Sequence, residues 1–188
     1  FIASIFSSIP LVADDGMGNT TVINDQTFNM CTGDNIDITP DAPAGSISYK
    51  WYLDTNPIPF STIPNLSFTN VTPADNGIYK LVAEHTDTCG NSNTLEGEFT
   101  IAVYDYSVAL ATQTLIECDD DNNGTFPFDL TINDALIIGA QRNMEVLYFS
   151  SQADADANSN QLTIPYESGS ATIYARIHQT GNPNCYDT

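Results

Sequence analysis

A chain of 188 residues has room for one or two domains with cores of their own. Its 4 Lys and Arg face 24 Asp and Glu, a formal net charge of −20, which repels phosphate backbones and anionic lipid and so speaks against nucleic acid or membranes as partners. Nine Tyr, nine Phe and one Trp, set among scattered turn-forming residues, fit short strands separated by many turns.

In chain order, the opening FIASIFSSIPLVA is apolar, lacks the basic start of a signal peptide and is too short to span a bilayer. With no initiator Met before it, the chain reads as a processed or excised segment, and residues 1–12 as a strand left from a preceding domain or docked onto a neighbour. The turn cluster DDGMGN at 14–19 marks a boundary, giving a linker over 1–19 and a first domain over 20–105. Strand-like runs follow at 20–23, 35–39, 48–53, 66–69, 77–84 and 98–104, separated by the turns TPDAPAG, DTNPIP, TPADNG and CGNSN. In SYKWYL the alternation sets Tyr49, Trp51 and Leu53 on one face, and in GIYKLVAE it sets Tyr79, Leu81 and Ala83 together. That pattern predicts a sandwich.

Residues 24–104 resemble an immunoglobulin-like domain: KWYL carries a core Trp51, and Asp75-Asn76-Gly77-Ile78-Tyr79 matches the D-x-G-x-Y signature whose Tyr forms the tyrosine corner. The sequence departs from the antibody pattern at Leu81, where the second core Cys would stand. Cys89 falls later, in a turn, so the staple is expected at one end of the sandwich rather than in its core.

The second half, 106–188, has another vocabulary. Strand runs at 144–150 and 171–178 flank a helix-compatible stretch at 152–158, and 134–138 reads as a further helical turn. Its blocks CDDDNNGTFPFDLT, YFSSQADADANSN and IYARIHQTGNPNCYDT resemble the repeat modules of very large cell-surface adhesins from gliding Bacteroidota, exported by type IX secretion. The resemblance covers about 75 residues in three ordered blocks and implies a further strand after the closing CYDT. The fold class expected is therefore all-β, two β-sandwich domains in tandem, the first immunoglobulin-like. The function expected is that of a non-catalytic adhesive or structural segment at the cell surface, with neighbouring modules as partners. Two alternatives stay open: a fibre subunit joined to its own copies by strand donation from 1–12, and a glycan-binding module.

The four cysteines are Cys31, Cys89, Cys118 and Cys185, with no CxxC and only two His, which argues against zinc. One widely spaced pair per half reads as Cys31–Cys89 and Cys118–Cys185, each loop worth roughly 4 kcal/mol in an oxidising compartment. The segment 119–125, DDDNNGT, gives the D-x-D-x-N-G start of a calcium loop, with Asp119, Asp121, Asn123, Thr125 and Asp129 as candidate calcium ligands, helped by Asp154 or Asp156. Leu130 occupies the position where an EF-hand needs its bidentate Glu. The competing reading is a tight Asx-rich turn with no metal. For catalysis, His85 and His178 stand alone near strand ends and no G-x-S-x-G is present, so no enzyme is expected. Tyr52, Tyr104, Tyr106, Tyr148, Tyr166 and Tyr174 are the aromatics from which a carbohydrate platform could be built, although alternation puts most of them in or near the core.

Overall fold

The computed structural model describes residues 7–14, 20–41, 46–59, 62–86 and 89–188. Residues 1–6 of the apolar opening, 15–19 of the first turn cluster and 42–45 of TPDAPAG lie outside them. The chain divides into two compact units, Phe1–Tyr104 and Asp105–Thr188, and both are built mainly of strands.

The first unit is a two-sheet sandwich. Its strands are β1 (Ser7–Ser8), β2 (Leu11–Asp14), β3 (Thr20–Val22), β4 (Thr27–Cys31), β5 (Ile36–Pro40), β6 (Ser46–Leu53), β7 (Asn56–Pro57), β8 (Leu66–Phe68), β9 (Gly77–Thr86) and β10 (Ser92–Tyr104). One sheet runs β1-β10-β9-β6-β7 with β4 also on β10, and the other runs β3-β2-β5-β8. The alternation read from β6 and β9 sets the core: Trp51 lies opposite Leu81, and both are fully buried with Tyr79 and Phe99. Trp51 meets Phe99 edge-on at 6.2 Å and donates its indole N–H to the Pro64 carbonyl at 3.0 Å, so the largest core side chain leaves no buried donor unmet. Tyr79 donates to the Asp75 carbonyl at 2.9 Å, the tyrosine corner expected from D-x-G-x-Y. Burial, then the nearby Asp75 and Asp54 carboxylates, push its phenol up to about 12.

Of residues 1–12, expected to come from or dock onto a neighbouring module, the described part, 7–12, instead pairs inside this unit together with 13 and 14. β1 runs parallel to β10, β2 runs antiparallel to β5, and Ile9, Leu11 and Ala13 sit in the core. The Asn24 side chain holds the crossing between the sheets, accepting from Leu11 N at 2.6 Å and donating to Ile9 O at 2.8 Å. Buried apolar side chains and satisfied backbone groups together explain why so greasy a segment is kept at home. The crossing passes tightly over β10: a Cβ built on Gly97 would come within 2.7 Å of the Ile9 carbonyl oxygen. Gly97→Ala is therefore expected to push the segment off its sheet and lower stability by about 1–3 kcal/mol in urea melts. An unchanged midpoint would mean that the segment does not dock there.

The second unit contains β11 (Phe126–Phe128), a 3-10 turn at Leu130–Asn133, α1 (Asp134–Ile138), β12 (Met144–Phe149), α2 (Gln152–Ala157), β13 (Tyr166–Ser168), β14 (Tyr174–Gln179) and β15 (Asn182–Asp187). β11 pairs with β13, and β12-β14-β15 form a second sheet. The strand register sorts the faces of this sheet. Tyr148 and Val146 share one face with Ala175 and Ile177 and join Leu130 and Ile137 in a core, while Phe149 and Leu147 share the other with Arg176. Ser151 caps α2 by accepting from Asp154 N, and Asn158 ends it in the left-handed region at φ 50°.

Residues 105–118 form no regular element, yet side-chain amides hold part of them extended by imitating a neighbouring strand. Gln141 accepts from Val108 N at 2.9 Å and donates to Val108 O at 2.7 Å, and Asn133 does the same for Gln113 at 2.9 and 3.1 Å.

Candidate functional site

Cys31 closes β4, in register with Tyr104, the last residue of the first unit. Cys185 lies fully buried in β15, where its carbonyl accepts from the Ser107 hydroxyl at 2.7 Å. Cys31 and Cys185 are both disulfide-bonded. The expected pairs Cys31–Cys89 and Cys118–Cys185 are thus replaced: Cys118 carries an exposed free thiol, and Cys89 is exposed in the turn after β9. Pairing by proximity in sequence failed because Cys89 and Cys118 sit on solvated turns, whereas Cys31 and Cys185 end or occupy buried strands.

The acidic segment is a tightly bonded turn. Asp119 accepts from Asn123 N at 3.2 Å and Gly124 N at 2.8 Å, and Asp121 accepts from Asn123 N at 3.1 Å. Asn123 in turn accepts from Thr125 N at 2.7 Å, and the Thr125 hydroxyl lies 2.9 Å from Asn123 Oδ1 and 3.0 Å from Glu167 Oε1 on β13. Asp129 is used elsewhere, capping the 3-10 turn through Thr131 N at 3.1 Å and Thr131 Oγ1 at 2.6 Å. Asp154 accepts from Ser151 and Asn160 at the start of α2, and Asp156 from Gln152 and Thr188. Among the described residues, no group of three or more His, Cys, Asp or Glu is placed to hold a metal ion. The Gly124 N–H, followed by weaker bonds from its neighbours, holds the Asp119 carboxyl below its ordinary value, and Ser151 and then Asn160 do so for Asp154.

Arg176 on β14 was not singled out by its sequence context. Its side chain is 3% exposed. Nη1 donates to the Ala155 and Asp156 carbonyls at 2.8 and 3.1 Å, and Nη2 to the Pro183 carbonyl at 2.7 Å. The guanidinium lies 3.4 Å from the centroid of the Tyr186 ring. One cation thereby joins the end of α2 to β14 and β15, and it was legible only as the R of I-Y-x-R.

His178 is buried, with Nδ1 3.0 Å from the Gln179 carbonyl and Nε2 3.8 Å from Glu145, and His85 sits half-buried on β9. Of the tyrosines considered for a carbohydrate platform, Tyr52 and Tyr104 are half-buried in the first unit, and in the second Tyr106 is exposed, Tyr148 is core and Tyr174 is half-buried on β14. Tyr148 and Tyr166 line one cleft of the second unit.

Fold and residues together define a pair of β-sandwich modules whose conspicuous chemistry is a disulfide. Residues 114–188 match the family model described as a Flavobacterium inter-domain disulphide bond domain, and residues 20–97 match that of an immunoglobulin domain. Families of both kinds are typically non-enzymatic structural modules, and the two matches fit modules of Bacteroidota surface proteins. No curated protein matches the chain. Among the described residues, no helix is long and apolar enough to cross a membrane.

Proposed function

We propose that the chain is a load-bearing spacer of an extracellular adhesin, in which the Cys31–Cys185 disulfide ties the two modules into one covalent loop. The observation that carries this reading is that Cys31 of the first unit and Cys185 of the second are both disulfide-bonded. The family matched by residues 114–188, described as an inter-domain disulphide bond domain, supports it. Disulfides persist in oxidising surroundings, which fits the cell surface or the extracellular space. A link closing a loop this long stabilises the folded chain by about 5 kcal/mol on the chain-entropy model. Tension applied outside the loop passes through the sulfurs, so residues 32–184 are shielded and only β1–β4, which run up to Cys31, stay under load. The test is mechanical, comparing the extension of the oxidised chain with that of the reduced chain. Strand donation between copies would require residues 7–14 to leave the place they fill in their own sandwich.

For the segment 119–125, the turn reading is the one the hydrogen bonds favour, since the loop's own N–H groups already engage the carboxylates. Melting midpoints in excess calcium and in chelator are expected to coincide. A chelator-sensitive midpoint that is lost in Asp119→Ala would reinstate the metal. The depressed Asp119 pKa also sets a pH dependence. A folded-state pKa below the ordinary 3.8 gives stability that is present above 3.8 and lost as the pH falls through the lower, folded value. The stability difference between the wild type and Asp119→Ala should therefore shrink on acidification below pH 3.8.

A further inference from the structure

The second unit holds a cleft of about 400 Å³ whose chemistry differs from the rest of the molecule. In a chain carrying 28 charged residues, none of the residues lining it is charged. Phe128, Tyr166 and Ile173 supply half-buried apolar wall, above a floor that includes the buried Tyr148 and Leu130. Around them stand the hydroxyls of Thr112, Thr114, Ser168, Ser170 and Thr172. Among the described residues, none of these five hydroxyls, nor that of Tyr166, bonds to another protein group. By contrast, the polar groups that build the wall are spent. Asn133 is clamped on the Gln113 backbone, and Tyr148 donates to Asp134 at 2.6 Å.

We propose that this cleft is a carbohydrate subsite that takes a neutral sugar unit of a polysaccharide. Each competing class fails on the same lining. A phosphate or carboxylate ligand would be desolvated with no cation to meet it, inside a chain of net charge −20. A cationic ligand would find no carboxylate in the cleft. A purely apolar ligand would strip water from six hydroxyls and give them nothing in return. A neutral pyranose matches both parts, since its C–H face packs on the Tyr166 and Phe128 rings while its rim of hydroxyls exchanges donors and acceptors with the Ser and Thr side chains. The volume falls at the small end of ligand pockets, roughly 300–1,000 Å³, which suits one or two residues of a longer chain. This inference goes beyond the spacer reading and does not rest on it: a stapled spacer needs no cleft, and a sugar site needs no staple.

Saturation-transfer NMR on the intact oxidised chain, with dextran, mannan, galactan and N-acetylglucosamine oligomers as neutral probes and polygalacturonate as the anionic one, tests it. At least one neutral probe is expected to receive saturation and the anionic one none. Tyr166→Phe keeps the ring and removes only the hydroxyl, while Ser170→Ala and Thr172→Val alter exposed positions that the fold does not need. Each is expected to weaken binding several-fold, and Tyr166→Ala about tenfold. Silence from all four neutral probes at millimolar concentration would overturn the proposal. So would binding that survives the three conservative variants unchanged, because the sugar would then sit elsewhere.

Discussion

Pulled from its two ends in an optical trap, the oxidised chain is expected to lengthen by only about 100 Å, the extended reach of the residues before Cys31 and after Cys185 at ~3.3–3.6 Å each. Residues 32–184 lie inside the covalent loop and bear no tension, so the extension comes from β1–β4, which run up to Cys31, while the second unit stays folded along the pulling direction. Adding a reductant, or replacing both cysteines in Cys31→Ser/Cys185→Ser, should release a further ~500 Å in steps as the two units open. The variant is expected to keep both folds, because each unit has its own core. An oxidised chain that gives up the length of a whole unit would remove the mechanical role.

The second large effect is expected at Arg176. Replacing it with Ala strips the donors from the carbonyls of Ala155, Asp156 and Pro183 and uncovers the Tyr186 ring. Unmade bonds to buried acceptors cost about 1–3 kcal/mol each, and partial access to water reduces the sum to a loss on the order of 3–5 kcal/mol. Arg176→Lys should recover only part of it, since an ammonium presents neither the planar fork nor the stacking face. Arg142, exposed in the turn before β12, is the control, and its Ala variant should stay within about 0.5 kcal/mol of the wild type. If Arg176→Ala melted like Arg142→Ala in urea, the guanidinium would not be holding α2 to the sheet.

The parts of the fold written in local pattern were legible. Trp51, Tyr79 and Leu81 announced the first core through period-two alternation and the D-x-G-x-Y corner, and the structure places all three inside. The short helices were readable too: the 134–138 and 152–158 stretches contain α1 and α2, the latter behind its Ser151 cap. What could not be read depended on tertiary pairing. β15 is spelled NPNCYD, a turn-like composition that becomes a strand because β14 offers an edge to it. β4 ends in Cys31 and lies parallel to β10, a partner about seventy residues away that no local pattern can name. The disulfide belongs to the same class, for four cysteines allow three connectivities and spacing does not choose between them. The cleft escaped because its hydroxyls are divided between two segments, 112–114 and 166–172, neither of which forms a motif by itself.

The central claim can be tested without force. The four basic residues Lys50, Lys80, Arg142 and Arg176 let trypsin cut the chain into five pieces, with Cys31 alone in 1–50, Cys89 and Cys118 together in 81–142, and Cys185 alone in 177–188. Digestion without reductant, after alkylating free thiols, should yield 1–50 joined to 177–188 as one mass that splits on reduction. A joined species containing 81–142, bridging 1–50 and 177–188 through Cys89 and Cys118, would show that Cys31 and Cys185 are not bonded to each other and would contradict the spacer mechanism.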